Sequence, residues 1–210
     1  MVERKEFCMS FVEDNYLVVP NAIDTKFANF LYDYMLLQRN IAKFKFEQKY
    51  ITYFSVDHGS FGDRQVPQTY GMYGDPIFDL LLEKNIRPIL EKESKLNLYS
   101  TYTYYRIYKK GDVLKRHKDR PSCKISTTMN IGGDEWPIYL EPSGKENKKG
   151  VEVNLNPGDM LMYRGCELEH WRDVFEGDDC AQVFFHFTDD INYIYDTRPF
   201  LGLPQYFKND

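Results

Sequence analysis

Val113-Leu-Lys-Arg-His-Lys-Asp119 is a predicted strand with a histidine and an aspartate two residues apart at its end. Residues at positions i and i+2 of a strand point to the same face of a sheet. His117 therefore shares a face with the aspartate, whereas Arg116 and Lys118 point to the other face, where water can solvate their charges. An imidazole and a carboxylate on an inner face need a polar partner, and a metal ion could supply it.

A second histidine follows further along the chain. Residues 156–163 read Asn-Pro-Gly-Asp-Met-Leu-Met-Tyr, which predicts a turn and a buried strand, and His170 comes shortly after them. With His117 and Asp119 it would form a two-histidine, one-carboxylate ligand set. Such a set leaves three metal positions open and is typical of non-haem Fe(II). Two alternatives stay open: a surface histidine beside a turn aspartate, and a zinc pair of Cys166 and His170, although structural zinc requires four ligands.

Short strand-like runs fill the chain from residue 99 onward. Turns rich in glycine and proline separate them, as in Lys110-Gly-Asp and Pro142-Ser-Gly. About eight short strands separated by such turns are typical of a jelly roll. We therefore predict a mainly β (α+β) fold, a double-stranded β-helix (jelly roll) with supporting N-terminal helices. The predicted strands are 99–109, 113–118, 123–131, 137–141, 149–155, 159–163, 167–171 and 181–187.

The first supporting helix is predicted from about Thr25 to Gln38, capped by Asp24 or by Thr25 itself. Its apolar residues recur at helical spacing, which predicts one stripe that faces the core. The members of this predicted stripe are Phe27, Phe30, Leu31 and Tyr34.

The second supporting helix is predicted to start at Asp75-Pro76, a capping residue followed by a proline at the first helical position. Pro88 should kink or interrupt this helix. Its predicted core-facing residues are Phe78, Leu81, Leu82, Ile86, Ile89 and Leu90. Residues 41–74 are predicted to be loops with short strands. We predict one domain over residues 1–210, divided into a helical support region at 1–98, a jelly-roll core at 99–188 and a C-terminal cover segment at 189–210.

Composition narrows the classes of function. Aromatic residues make up 16% of the chain, which favours pleated, half-buried surfaces. The net charge of −5 argues against a nucleic-acid partner. No apolar run is long enough to span a membrane, and the N-terminus lacks the apolar region of a signal peptide. The four scattered cysteines show no disulfide framework, so we expect a cytoplasmic protein.

The order of these features resembles the 2-oxoglutarate- and Fe(II)-dependent oxygenases, specifically their prolyl-4-hydroxylase-like branch. That family has a tyrosine-bearing strand, H-x-D, a strand with a P-x-G-D-hydrophobic pattern and a distal histidine. This chain has Tyr108 nine residues before His117, then Asp119, a shortened Pro157-Gly-Asp and finally His170. The similarity covers under half of the chain, and it implies that the two histidines and the aspartate bind Fe(II).

The resemblance also implies a pocket for 2-oxoglutarate, whose far carboxylate needs hydrogen bonds and usually a cation. Family members usually place a lysine or arginine about ten residues after the distal histidine. Residues 176–183 read Glu-Gly-Asp-Asp-Cys-Ala-Gln-Val and contain none. Arg172, two residues after the distal histidine, is the predicted substitute, with Tyr108 and Thr128 completing the pocket. The alternative for Arg172 is a surface arginine or an ion pair with Asp173.

Five further residues have less specific predicted roles. Arg106 and Arg120 are fallback anchors for the co-substrate or would contact the substrate, and Trp171 could line the entry. His58 and His186 are not predicted as ligands. His186 stands among aromatic neighbours, which is typical of a hydrogen-bonded core histidine.

The implied activity is hydroxylation of a C–H bond with O2, releasing succinate and CO2. It requires no acid–base residue, so no catalytic residue is predicted beyond the metal ligands. The implied substrate is a prolyl residue in a peptide or a small molecule, and the oligomeric state stays open. Two rival functions remain: a cupin-like metal enzyme that does not use 2-oxoglutarate, favoured by the missing basic residue, and a binding or structural jelly-roll module with an accidental ligand set.

Overall fold

The computed structural model describes residues 10–52, 58–63, 65–194, 196 and 198. The strands are β1 (Tyr16–Val19), β2 (Ser60–Phe61), β3 (Tyr70–Tyr73), β4 (Tyr99–Lys109), β5 (Leu114–His117), β6 (Ile125–Gly133), β7 (Ile138–Leu140), β8 (Val151–Val153), β9 (Met160–Arg164), β10 (His170–Arg172) and β11 (Asp179–Thr188). The helices are α1 (Phe11–Asp14), α2 (Thr25–Glu47), α3 (Pro76–Leu81) and α4 (Arg87–Ser94). A π-helical turn (Leu82–Ile86) joins α3 to α4, and 3-10 turns lie at Pro121–Cys123 and Ile191–Tyr193.

Two antiparallel sheets form the body of the described chain. The larger has seven strands in the order β1-β9-β6-β11-β4-β3-β2, and the smaller has four in the order β5-β10-β7-β8. Leu140 and Val153 of the small sheet pack with Leu161 and Tyr163 of β9, so the sheets lie face to face. This double-sheet arrangement is that of a jelly roll, and the predicted fold class is confirmed.

The two faces of the large sheet have different neighbours because side chains alternate along each strand. On β4, Tyr105 and Ile107 join the core that packs beneath the helices. Arg106 and Tyr108 alternate with them and point between the sheets, and Tyr108 packs there with Trp136. The space between the sheets therefore receives polar side chains from the large sheet.

The predicted apolar stripe of the first helix is wrong for two of its four members. Phe27 and Phe30 are 41% and 63% exposed, whereas Leu31 is fully buried and Tyr34 is half-buried. The other buried residues of α2 are Ala28, Met35 and Ala42. The large sheet packs against the side of α2 that carries Ala28, Leu31 and Met35, and the Phe27 and Phe30 rings lie outside this contact.

The helices α2 and α3 begin directly after the predicted capping residues. Asp24 accepts a hydrogen bond from the backbone N–H of Lys26, although α2 continues well beyond the predicted end. Asp75 accepts one from the backbone N–H of Ile77. Pro88 stands at the start of α4, just after the π-helical turn, so the predicted interruption is confirmed. Of the predicted core residues in this region, all are buried except Ile89, which is partly buried against the same cluster.

The strand predictions agree with the structure to within a few residues, and β4 has the predicted bounds. The prediction of loops with short strands for residues 41–74 is wrong for residues 41–47, which belong to α2, whereas β2 and β3 form one edge of the large sheet. Most of the predicted cover segment, residues 189–210, lies outside the described residues. Within the described part of the chain, no helix combines the length and apolarity needed to cross a membrane.

Leu31→Ala is expected to lower the free energy of unfolding by about 2–5 kcal/mol, because it leaves a cavity beneath α2. Phe30→Ala is the matched control, since its ring is 63% exposed and its loss should cost about 0.5 kcal/mol or less. Urea unfolding followed by circular dichroism measures both. Equal costs for the two variants would contradict the observed orientation of α2.

Candidate metal centre

The two predicted histidine ligands face each other on neighbouring strands. His117 ends β5 and His170 begins β10, and they are direct partners in this antiparallel pair. Their ring centroids are 4.3 Å apart. His170 is buried and His117 is partly exposed, so the pair opens toward solvent on the side of β5.

Asp119 lies in the loop after β5, where its backbone N–H donates to the carbonyl of Gly165 at 2.8 Å. Its Oδ1 is 3.8 Å from Nε2 of His117 and 3.6 Å from Nε2 of His170. One ligand atom from each of these three residues lies within 4.8 Å of the others. Cys166 is not part of the group, because its thiol donates to the backbone of Arg120 at 3.1 Å. The structure thus brings the three predicted ligands to one point.

Backbone contacts fix which nitrogen of each imidazole is free. Nδ1 of His117 lies 2.7 Å from the carbonyl of Lys115, and Nδ1 of His170 lies 3.1 Å from the carbonyl of Leu168. A carbonyl can only accept, so Nδ1 carries the hydrogen in both rings. In the neutral form of each ring the lone pair is therefore on Nε2, which lies on the side of Asp119, and this is the form that binds a metal.

A hydrogen bond to the oxygen that points away from the histidines orients the carboxylate of Asp119. Ser126 donates its hydroxyl hydrogen to Oδ2 at 2.6 Å, which leaves Oδ1 toward the histidines. A Cβ on Gly165 would lie 2.5 Å from the same Oδ2, so only glycine fits there. Burial alone would raise the pKa of Asp119, but His170, His186 and the Ser126 hydrogen bond outweigh it and hold the pKa below its ordinary value. The aspartate is therefore ionised at neutral pH.

Arg172 is buried between the sheets and has no carboxylate partner among the described residues. It is 1% exposed, and its guanidinium donates to the backbone carbonyl of Trp136 and lies 3.3 Å from Oε1 of Gln182. Its centre stands 5.0 Å from the Trp136 ring centroid. Burial lowers the pKa of Arg172, which reflects the cost of a charge in this place. The alternative of a surface arginine paired with Asp173 is excluded.

The other two predicted pocket residues lie beside Arg172. Thr128 Oγ1 is 3.5 Å from the guanidinium and donates to Oε1 of Gln182 at 3.0 Å. The Tyr108 hydroxyl and Nε of Arg172 are both buried without a well-formed hydrogen bond among the described residues. Buried polar atoms are rarely left unpaired, so these two donors indicate a place for an acceptor that the chain itself does not supply.

The predicted substrate residues are placed differently from one another. Arg106 is buried and forms an ion pair of 2.5 Å with Asp63. The Arg120 side chain is 46% exposed and lies 3.1 Å from Asp196. The structure does not bring Trp171 to the ligands: it alternates with His170 on β10 and stacks on Tyr139 at 5.6 Å on the outer side of the small sheet.

Three residues beside the site, Ser126, Gln182 and Gln65, were missed by the sequence reasoning. His186 is the buried, hydrogen-bonded histidine that the sequence predicts, and it pairs with Ser126 at 3.0 Å next to the aspartate ligand. Gln182 stands in the window where the family usually has a basic residue, which was the one available signal. Gln65 approaches His117 from the loop between β2 and β3, and nothing in its local sequence indicates this.

Comparison with family models and with curated proteins finds no match. Solved structures do match the fold. HygX from Streptomyces hygroscopicus, with nickel, 2-oxoglutarate and hygromycin B bound, aligns with 12% identity and a TM-score of 0.62 over 85% of this chain and 84% of that one. A Pseudomonas putida prolyl-4-hydroxylase aligns with 13% identity and a TM-score of 0.58 over 85% of this chain and 94% of that one.

AviO1 from Streptomyces viridochromogenes Tue57 aligns similarly, with 12% identity and a TM-score of 0.63 over 86% of this chain and 92% of that one. A Burkholderia pseudomallei oxidoreductase described as a 2OG-Fe(II) oxygenase is also among the matches, at 11% identity. The chain therefore has the jelly-roll fold found in 2-oxoglutarate- and Fe(II)-dependent oxygenases. At these identities the likeness establishes the fold, and the activity has to be argued from the site itself.

Ser126→Ala is expected to weaken binding of Fe(II) by about 10-fold or more, because the ligand carboxylate loses the hydrogen bond that orients it. Ser143→Ala is the matched control, since that hydroxyl bonds to Glu141 instead. Anaerobic isothermal titration calorimetry measures both affinities. An unchanged affinity in Ser126→Ala would show that the carboxylate does not need this support.

Acid is expected to destabilise the metal-free protein between pH 6.5 and about 4. Burial lowers the pKa of both His170 and His186 from 6.5 to about 4, so in this window the unfolded chain binds more protons than the folded one. The free energy of unfolding should fall as pH drops, by up to about 1.4 kcal/mol per pH unit for each group. Urea unfolding of chelator-treated protein across this range measures the slope, and His186→Gln should flatten it. A constant stability would contradict the burial of both rings as neutral groups.

Proposed function

We propose that this protein is a 2-oxoglutarate- and Fe(II)-dependent dioxygenase that hydroxylates a C–H bond and releases succinate and CO2. The observation that carries the proposal is the convergence of His117, Asp119 and His170 on one point, with the Nε2 atoms of both histidines rather than their Nδ1 atoms on the side of Asp119. Two imidazoles and one carboxylate would occupy one side of a metal ion and leave positions for reactants. The donor set therefore fits Fe(II).

The protein's own part is binding, orientation and exclusion of water. When bound, Fe(II) together with 2-oxoglutarate and O2 supplies the oxidising chemistry for hydroxylation. His117, Asp119 and His170 would hold the metal, and their hydrogen bonds to Lys115, Ser126 and Leu168 fix the direction of each ligand atom. No proton has to be moved by a side chain in this reaction, so we propose no catalytic residue beyond the ligands.

The far carboxylate of 2-oxoglutarate would bind to Arg172, Tyr108 and Thr128. A buried guanidinium without a counter-charge is costly, and a carboxylate offsets that cost. The Tyr108 hydroxyl and Arg172 Nε lack a well-formed hydrogen bond among the described residues. Burial raises the pKa of Tyr108, and Arg172 lies close enough to counteract this rise, so the two supply neighbouring donors. Arg172 would thus replace the basic residue that the family usually carries near position 182, where this chain has a glutamine that accepts from Arg172.

The substrate is proposed to be a small molecule or a prolyl residue in a peptide. Tyr73, Tyr102 and Tyr104 form an aromatic wall on the inner face of the large sheet, with ring centroids 5.1–6.2 Å apart. Such a wall suits the flat or ring-shaped faces of a substrate. Among the structural neighbours, one is a prolyl-4-hydroxylase and another holds hygromycin B, so the fold accommodates both classes.

Purified protein given Fe(II), ascorbate, O2 and 2-oxoglutarate is expected to form succinate slowly even without substrate. The amount of succinate measures turnover of the co-substrate. His117→Ala and Asp119→Ala should abolish succinate formation and Fe(II) binding, because each removes a ligand, while the far-ultraviolet circular dichroism spectrum is retained. Mass spectrometry of the products and calorimetry of metal binding give the two readouts. Fe(II) binding by the wild type without any binding of 2-oxoglutarate would favour the cupin-like alternative.

Arg172→Gln is expected to raise the dissociation constant for 2-oxoglutarate by about 10-fold or more, since a charge-assisted hydrogen bond contributes about 1.5–3 kcal/mol. Affinity for Fe(II) alone should change little, because Arg172 does not contact the ligands. Arg87→Gln on α4, which pairs with Glu83 at the surface, is the control. An unchanged affinity for the co-substrate would assign its anchor to another residue.

A further inference from the structure

Gln65 is a polar side chain at the metal centre that is neither a predicted ligand nor part of the proposed 2-oxoglutarate pocket. It lies in the loop between β2 and β3, and its Nε2 is 3.4 Å from Nε2 of His117. That is the nitrogen through which His117 would bind the metal. Gln65 is partly buried, and it reaches the site from the large sheet, whereas the histidines belong to the small one.

The orientation of the Gln65 amide is determined by its other neighbour. Arg106 Nη1 lies 3.2 Å from Oε1 of Gln65, and a guanidinium can only donate. The amide oxygen therefore faces Arg106 and the amide nitrogen faces His117. Because Nδ1 of His117 donates to a backbone carbonyl, Nε2 is the acceptor of the neutral ring, and the amide N–H of Gln65 donates to it in that form of the metal-free protein.

Burial and an ion pair fix the position of the Arg106 side chain. It is 5% exposed, and its Nη2 pairs with Asp63 Oδ2 at 2.5 Å. The other oxygen of Asp63 accepts from the backbone N–H groups of Gln65 and Val66 at 2.8 and 2.6 Å. The main chain and the amide of Gln65 are thus both fixed by the same ion pair.

Metal binding would take the His117 lone pair away from Gln65. The amide N–H would then face the coordination sphere of a cation, and a donor in that place needs an acceptor atom bound to the metal. We infer that Gln65 is a binding residue of the metal centre, whose amide donates a hydrogen bond to an oxygen atom held on the metal beside His117, with Arg106 as its positioning residue. This inference rests on the proposed function.

The oxygen atom could belong to 2-oxoglutarate or to a water molecule, and two titrations distinguish these sources. Fe(II) alone is titrated into the protein without oxygen, and 2-oxoglutarate is then titrated into the Fe(II)-loaded protein, both by calorimetry. Gln65→Ala is expected to weaken 2-oxoglutarate binding by about 10-fold without weakening Fe(II) binding, because His117 no longer has a competing donor. Weaker binding of Fe(II) alone, with 2-oxoglutarate unaffected, would identify a bound water as the acceptor.

Gln65→Glu separates this role from a structural one. It replaces the donor by a carboxylate, so it should strengthen Fe(II) binding and weaken 2-oxoglutarate binding, changes of opposite sign that a merely loosened loop would not produce. Gln68→Ala, an exposed glutamine of the same loop, is the matched control. The inference is overturned if both Gln65 variants stay within about twofold of the wild type, or if Gln68→Ala shows the same changes.

Arg106→Lys tests the positioning role. It keeps the positive charge but cannot bridge Gln65 and Asp63 in the same way. The loss of 2-oxoglutarate affinity should match that of Gln65→Ala, and the double variant should lose little more, since both changes remove one interaction. Additive losses would assign Arg106 a separate role. A wild type that binds neither Fe(II) nor 2-oxoglutarate would refute the proposed function itself, whereas normal wild-type binding with unaffected variants would refute this inference alone.

Discussion

The pairing of β5 with β10 is the contact on which the rest of the site depends. It places His117 opposite His170, in a register that a shift of one residue would destroy by turning one ring to the other face. Each ring is then oriented by the carbonyl two residues before it, so the ligand geometry is mostly local to the two strands. Asp119 needs only the loop after β5 and the support of Ser126 to complete the set.

A buried positive charge is the second constraint. Arg172 lies between the sheets with carbonyl, hydroxyl and amide acceptors but no carboxylate among the described residues. The jelly roll tolerates this because the backbone of Trp136 and the side chain of Gln182 partly satisfy the guanidinium. The positive charge of Arg172 is still not balanced by an anion. The buried guanidinium therefore costs stability in the free protein and favours binding of an acidic co-substrate.

Sequence patterns predicted those parts of the molecule that depend on neighbours along the chain. Strand alternation placed Arg172 on the same side of β10 as His170, and turn residues located most strand ends. The H-x-D spacing found the ligand pair although Asp119 lies in the loop after β5 and not on the predicted strand. The exposed face of α2 was misassigned because periodicity shows that Phe30 lies on an apolar stripe but not which stripe the sheet covers. Gln65 could not be predicted at all, since its contact with His117 joins two distant segments through an arginine on a third.

β5 is an edge strand of four residues, and β10 is its single partner among the described strands. Such edges invite pairing with other molecules, and the exposed lysines at positions 115 and 118 are the usual protection against it. An ion shared by His117 and His170 would fasten this edge to its neighbour. The chain forms the pairing of β5 with β10 by itself, so such an ion would reinforce an existing edge, and the outer side of β5 is the margin that the lysines have to protect.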